Sequence, residues 1–241
     1  MQICYLTKVS QSKDSNPGRI LSGYPCLQYC MTQINRVTDF PKFHKNKYLL
    51  LKLINLDYME EPGAGILLIA DPFLKDPNFK RTVVFLCEHQ DEGSFGFVLN
   101  KNYDYTLNEL VNGLDDLKIP VFFGGPVQMD TIHFLHQYPD KISGGYEIVD
   151  GIFWGGDFER VISLLRSGEI NANKIRFYIG YSGWSGGQLA EELKEKSWLS
   201  VKASRKLIFN TKTDEVWKEA LRHLGGDYEM MINFPTDPQL N

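Results

Sequence analysis

The chain has 241 residues, a formal net charge of −4 and 43% hydrophobic residues. That hydrophobic content is close to the globular average and excludes a wholly disordered chain, while the acidic excess argues against a general nucleic-acid-binding protein, whose affinity depends on a basic face. No apolar run approaches the ~20 residues that a membrane-spanning helix needs, so no membrane association is predicted.

Cysteine usage predicts a reducing, cytoplasmic location. Cys26 and Cys30 are four residues apart, but no second Cys or His pair completes the spacing of a zinc site. Cys87 lies in an apolar run, which is typical of a buried free thiol. The N-terminal residues do not form the apolar core of a secretory signal, because Lys8 interrupts it.

Charge and turn residues divide the chain into two unequal parts. Residues 1–60 are formally +4, which leaves −8 for residues 61–241. Residues 1–58 have scattered turn formers and poor periodicity, which predicts a largely irregular N-terminal extension; the alternative is an arm that packs on the core. Regular patterning begins near Pro62 and shows no clear boundary up to residue 241, so one domain is predicted over 62–241.

The first elements of this domain are predicted to be strands. The continuous apolar run at 66–70 indicates a strand buried on both faces. The β-branched and aromatic run at 81–88 and the return at 95–100 indicate a hairpin. Thr106 then opens a capping-box pattern that predicts a helix over 107–114.

The middle of the domain is predicted to alternate between strands and helices. A strand is expected at 121–123, and a short helix capped by Asp130 over 130–136. Residues 148–154 indicate a short or bulged strand, because a glycine interrupts the run. Asp157 can cap the next helix, over 158–165.

The last third continues with a strand at 174–180 and a polar helix at 188–196. Short strands are predicted at 198–201 and 207–209, followed by a helix over 214–224 that ends at a Gly-Gly pair. An antiparallel hairpin mixed with helices favours the α+β class over a doubly wound parallel sheet.

Five motifs, in order, are similar to those of a known family. They read GILLIADPFLKDPNF from Gly65, VFFGGPV from Val121, DGIFWGGD from Asp150, RFYIGYSGW from Arg176 and FPTDP from Phe234. The region 62–241 thus closely resembles the YqgE/AlgH family of bacterial proteins, and residues 1–58 lie outside the resemblance.

The resemblance implies a single α+β domain with a mixed, bifurcated, partly barrel-like β-sheet surrounded by helices, in a cytoplasmic bacterial protein. It implies no agreed enzymatic activity. One branch of the family is named as a transcriptional regulator of alginate production, without a recognisable DNA-binding motif. Ser185 and Gly186 depart from the family pattern, which does not require serine at 185.

Two groups of polar residues are candidates for a ligand site. Glu88 and His89 end one predicted strand and Asn100 ends its hairpin partner, so the three can converge at a cleft; the alternative is that Glu88 and Asn100 satisfy loop amides. The second group, beside four glycines, can line a pocket unless its tryptophan plugs the core. Its members are Tyr181, Ser182, Trp184 and Gln188.

Arg81 and Arg176 are predicted to lie inside strands, where a buried guanidinium needs a carboxylate. The candidate partners are Asp71, Asp76, Glu88 and Asp157. A structural ion pair is the favoured interpretation, and the alternative is an anion site helped by the amides of a Gly-Gly turn.

Three further patterns each allow a functional and a structural interpretation. Gly183–Gly187 matches Gly-x-Ser-x-Gly, a nucleophile elbow centred on Ser185, but His223 is the only later histidine. Asp130, His133 and His136 stand at i, i+3 and i+6, and a cap with partly buried histidines is favoured over a metal site. None of the five Gly-Gly pairs forms a nucleotide motif, so no cofactor is predicted.

The sequence therefore favours a non-enzymatic protein that binds a small molecule or a protein partner, with a possible indirect role in transcriptional regulation. The alternative is a hydrolase with a serine nucleophile in the 183–187 loop. Direct DNA binding is disfavoured by the −8 balance of residues 61–241. The sequence does not give the oligomeric state.

Overall fold

The computed structural model describes residues 59–112, 114 and 117–235. The predicted N-terminal extension, residues 1–58, lies outside the described residues, as does the end of the FPTDP motif. Cys87, the one cysteine in the described part, is a buried free thiol as predicted.

The described chain folds into strands interrupted by four α-helices. In chain order the elements are β1 (Ile66–Ala70), β2 (Val83–Gln90), β3 (Gly93–Val98), β4 (Asn102–Thr106), α1 (Leu107–Leu110), β5 (Pro120–Phe123), β6 (Val127–His136), β7 (Tyr146–Val149), β8 (Ile152–Trp154), α2 (Phe158–Arg166), β9 (Ile175–Ser185), α3 (Gln188–Lys194), β10 (Trp198–Lys202) and α4 (Val216–Leu224). Short 3₁₀ segments span Ala172–Lys174 and Gly226–Asn233, and a π-helical turn spans Lys206–Asn210.

The strands form one curled, half-barrel sheet in the order β10-β1-β2-β3-β9-β6-β8-β7. Strand β9 is at the centre of the sheet. Strand β6 pairs along one edge of β9, and two strands, β5 and β3, share the other edge. The parallel strand β5 pairs with the first half of β9, and the antiparallel strand β3 pairs with its last residues. The sheet is therefore mixed and forks at β9, as the family resemblance implies.

Gly180 lies at the fork. Its φ of +65° places a bulge in β9, so that Tyr178 and Tyr181, three residues apart, both pack toward the same core. A Cβ atom at Gly180 would lie 2.5 Å from the carbonyl oxygen of Gly125 and 2.7 Å from that of Val127. Only glycine has both the conformation and the space that the fork requires.

Both faces of the sheet are covered, which makes this an α+β fold with a substantial core. Helix α4 packs into the half-barrel against β1 and β2, with Trp217 buried and its indole N–H donating to the carbonyl of Ala70 at 2.9 Å. Helix α2 covers the opposite face of β5, β6 and β9. Helix α3 covers the outer face of β1–β3 through Leu189.

Two predicted elements are wrong. Residues 130–136 are part of strand β6, in which Ile132 and Phe134 pack on one face and Leu135 on the other, with the period of two that a strand requires. Residues 207–209 are not a strand but a π-helical turn, which directs the consecutive side chains of Leu207 and Ile208 into one core.

Other boundaries differ in detail. The helix predicted over 107–114 ends at Leu110, although its capping box is present, with the Thr106 N–H donating to Glu109 Oε2 at 2.7 Å. The strand predicted over 148–154 is a hairpin, β7–β8, that turns at Asp150 and Gly151, both with positive φ. Among the described residues, none of the helices has the length and apolar character needed to cross a bilayer.

Candidate binding cavity

The segment after Tyr181 leads into a cavity on the outer face of the sheet. Strand β9 ends at Ser185, the chain turns through Gly187 with φ of +79°, and helix α3 starts at Gln188. The Gln188 carboxamide oxygen accepts the Ser185 N–H at 3.0 Å, which fixes this side chain at the start of the helix.

The facing wall is the connection between β1 and β2. Two Asp-Pro pairs shape it: the side chain of Asp71 accepts the N–H of Phe73 and that of Asp76 accepts the N–H of Asn78, each at 2.8 Å. These are the local turns that aspartate favours. They position Phe79, whose ring faces the end of β9.

Between the two walls is a cavity of about 250 Å³. Nine residues line it: Leu74, Asp76, Phe79, Gly183, Trp184, Gln188, Glu192, Ser197 and Trp198. The volume suits a small ligand, since pockets for drug-sized molecules start at about 300 Å³.

Three aromatic rings form the apolar part of the cavity. Phe79 and Trp184 lie nearly parallel, at 27° with ring centroids 6.3 Å apart. The ring of Trp198 is close to perpendicular to both, at 74° to Phe79 and 79° to Trp184. The three rings therefore pack against one another as a cluster at one side of the cavity.

Glu192 organises the polar part. Its Oε2 accepts the indole N–H of Trp184 at 2.8 Å and that of Trp198 at 2.7 Å, and its Oε1 accepts the Gln188 amide at 2.9 Å. One carboxylate therefore holds both tryptophans and the start of α3 in fixed positions. Such a preformed group with few, placed polar contacts is typical of a ligand site.

The predicted Tyr181–Gln188 group is divided by the structure. Trp184 and Gln188 line the cavity, and Trp184 is at the same time buried in the core. Tyr181 faces the other side of the sheet, toward Phe95. Ser182 is fully buried, and its hydroxyl donates to the carbonyl of Gly124 at 3.0 Å. This hydrogen bond links β9 to the residue that follows β5.

The predicted Glu88, His89 and Asn100 group does not line the cavity. Asn100 accepts the N–H of Val83 at 2.9 Å and donates to the carbonyl of Arg81 at 2.8 Å, which is the local role proposed as its alternative. His89 Nδ1 is 2.6 Å from the hydroxyl of the cross-strand residue Ser94, and Glu88 is exposed on β2.

The predicted ion pairs of Arg81 and Arg176 are wrong, because none of the four candidate carboxylates pairs with either arginine. Arg176 instead donates to the carbonyls of Ile208 at 2.5 Å and Leu99 at 3.0 Å, and its guanidinium lies 3.7 Å from the centroid of the Phe122 ring. Burial lowers the pKa of Arg176, and nearby Tyr178 opposes this effect. Arg81 donates to the Phe234 carbonyl.

The residues proposed for hydrolysis do not form a triad. Ser185 is paired with Gly93 in the β-ladder, and its hydroxyl bonds to Gln188 at 3.2 Å. Its φ is not among the positive values found in the described chain, so the strained elbow turn of such enzymes is not formed. In the described part of the chain no hydrogen bond links Ser185 to a histidine or carboxylate.

His133 and His136 belong to strand β6 and not to a helix, so they do not share one helical face. Burial lowers the pKa of both His133 and His136 to about 4. His136 accepts the Tyr138 N–H at Nδ1 and is 3.0 Å from the Gly155 carbonyl at Nε2. No group of three or more potential metal ligands is found within residues 59–112, 114 and 117–235.

Residues 67–229 match a family model described as AlgH-like. The chain belongs to the AlgH-like family. UPF0301 proteins of this kind from Chlorobium limicola and Cytophaga hutchinsonii are 45% and 39% identical over 177 and 178 residues, about 73% of this chain and 95% and 98% of theirs. Their sources agree with the bacterial origin that the resemblance implied.

Two solved structures share the fold. The solution structure of AlgH from Pseudomonas aeruginosa is similar with a TM-score of 0.58 and 28% identity, covering 73% of this chain and 98% of that one. The crystal structure of protein DIP2367 from Corynebacterium diphtheriae, 19% identical, has a TM-score of 0.61 over 73% of this chain and 94% of its own. The second likeness concerns the fold alone.

The lining residues that the sequence did not indicate as part of the site include Phe79, Glu192 and Trp198. For Glu192 a signal was available, because it stands four residues after Gln188 and shares its helical face. For Phe79 and Trp198 none was, since both reach the cavity through strand pairing and turns distant in sequence.

Proposed function

We propose that this AlgH-like protein is a non-enzymatic binding protein whose ligand occupies the cavity beside Trp184. The observation that carries the proposal is the Glu192 carboxylate, held by Trp184, Trp198 and Gln188 in the wall of a 250 Å³ cavity. A half-buried carboxylate with fixed partners and aromatic neighbours provides both orientation and apolar contact for a ligand.

A role in transcription would be indirect in this proposal. The −8 balance of residues 61–241 opposes direct contact with a phosphate backbone, so ligand occupancy would act through a protein partner. The proposal keeps the protein in the cytoplasm, as its cysteine usage predicts. The hydrolase alternative has no support from the contacts of Ser185.

A thermal-shift screen of the full chain tests the proposal. The panel contains amines, amino acids, carboxylates, sugars and nucleotides. A ligand present at a hundredfold its Kd stabilises the native state by about 2.7 kcal/mol, which raises Tm by roughly 5–10 °C for a domain of this size.

Two tryptophan substitutions in the β1–β2 connection locate the site. Leu74→Trp fills the cavity and is expected to abolish the shift, while Lys75→Trp places the same residue on the adjacent, exposed position outside the lining and is expected to retain it. A shift that survives Leu74→Trp would place binding elsewhere and contradict the proposal.

A further inference from the structure

The lining of the cavity carries negative charge only. Asp76 and Glu192 are the two ionisable residues among the nine that line it, and none of the nine is lysine, arginine or histidine. From this we infer that the ligand is a small alkylammonium cation; the inference rests on the proposed function of the same cavity. Carboxylates in the lining of a cavity disfavour an anionic ligand and favour a cationic one.

The aromatic geometry supports a cation. Trp184, Trp198 and Phe79 all line the cavity and pack against one another, with ring centroids 5.5 to 6.3 Å apart. Ring faces carry the negative end of the aromatic quadrupole, so aromatic lining favours a cation, quaternary ammonium groups included. Tryptophan is the strongest of the three aromatic types in this interaction.

Glu192 is the counter-charge. Its partners, two indoles and a carboxamide, are neutral donors, so its negative charge is stabilised without being cancelled. Asp76 is less available, since Lys101 lies close enough to interact with it and donates to the carbonyls of Pro77 and Asn78 at 2.8 Å each.

The cavity volume limits the size of the cation. About 250 Å³ admits a single small molecule such as choline, and not a nucleotide or a folded domain. The ligand class is therefore a free, small alkylammonium compound with a compact cationic head.

Calorimetric titration of the full chain tests the charge requirement. Choline is compared with 3,3-dimethylbutan-1-ol, its neutral carbon isostere, and with pivalate, an anion of similar shape. Choline is expected to bind at least about tenfold tighter than the alcohol, and pivalate not to bind measurably. Equal affinity for choline and the alcohol would overturn the inference.

Matched variants assign the charge to one residue. Glu192→Gln keeps a carbonyl oxygen for the indoles and is expected to weaken choline binding about tenfold or more, with little change for the alcohol. Glu191→Gln makes the same charge change on an exposed neighbour outside the lining and is expected to change affinity less than about twofold. Equal losses in the two variants would contradict a local role of Glu192.

A second variant keeps the test valid if Glu192→Gln fails to fold. Phe79→Leu retains the carboxylate and removes one of the three aromatic rings of the lining. It is expected to weaken the binding of choline more than that of the alcohol. If choline does not bind, but a neutral or anionic compound of the panel binds and Leu74→Trp abolishes that binding, the ammonium inference fails while the proposed function stands. If no compound binds, both fail.

Discussion

At the residue scale, Glu192 contributes more to stability than its position on a short surface helix suggests. Two indole N–H groups, one of them on the nearly fully buried Trp198, depend on a single carboxylate oxygen. Removing the acceptor leaves each indole N–H without a hydrogen-bond partner. An unsatisfied buried donor lowers the free energy of unfolding by about 1–3 kcal/mol.

Glu192→Ala is therefore expected to lower the free energy of unfolding by about 2–3 kcal/mol, measured by urea denaturation. Glu191→Ala is the control, because Glu191 is exposed on the same helix and its ion pair within the described residues is with exposed Lys194 at 3.6 Å; about 0.5 kcal/mol or less is expected. Equal losses would show that the indole contacts contribute nothing.

Arg176 is the second residue whose role follows from its contacts. A lysine cannot reach two carbonyls in the geometry of the guanidinium and also stack on Phe122. Arg176→Lys is expected to cost about 2 kcal/mol in chemical denaturation, against about 0.5 kcal/mol or less for the exposed control Arg160→Lys. A near-neutral Arg176→Lys would refute the structural role of the buried guanidinium.

Part of the site was predictable residue by residue. Trp184 and Gln188 stand in a glycine-rich segment between a strand and a helix, a pattern visible in the sequence alone. Phe79 and Trp198 were not predictable, because turns and the pairing of β1 with β10 bring them to the cavity. The ion pair expected for Arg176 failed since backbone carbonyls and an aromatic ring replace the carboxylate.

At the element scale, the fork of the sheet depends on the bulge in β9. Gly180→Ala would force a Cβ against two carbonyl oxygens and strain a positive φ. Clash and strain together are expected to destabilise the native state by about 3 kcal/mol or more. Gly63→Ala, where nothing lies within 4 Å, is expected to be neutral or slightly stabilising. Equal melting temperatures of the two variants would contradict a structural requirement for glycine at position 180.

Element type was predictable where the pattern is strong and local. The apolar run of β1 and the capped, amphipathic helix α2, with Asp157 accepting the Arg160 N–H at 3.0 Å, are confirmed. Strand β6 was mistaken for a helix because Asp130 imitates a cap, whereas pairing with β9 and β8 decides its conformation. Strand β4 is largely exposed and polar, so it carries no apolar signal.

At the scale of the whole molecule, buried histidines set the response to acid. His133 and His136 have pKa values lowered by burial to about 4, so the native state keeps them neutral where the unfolded chain takes up protons, below about pH 6.5. Their contribution to stability is therefore present at neutral pH and is lost as pH falls toward 4.

With nearly two extra protons bound by the unfolded chain, stability is expected to fall by about 2–3 kcal/mol per pH unit near pH 5. Urea denaturation between pH 7 and 5 measures this slope. His133→Phe, in a surrounding of Phe97, Trp154 and Tyr181, is expected to remove about half of it, while the exposed His223→Gln leaves it in place. A flat profile in the unaltered protein would contradict neutral burial of the histidines.

Ligand binding in the cavity beside Trp184 can be observed through the indole N–H resonances in a ¹⁵N correlation spectrum. The chain has four tryptophans, and only Trp184 and Trp198 line the cavity. Titration with choline is expected to shift these two resonances and to leave those of Trp154 and Trp217 in place. If a compound that raises Tm shifts the resonance of Trp154 or Trp217 and of neither cavity tryptophan, the binding site is elsewhere and the proposed function is wrong.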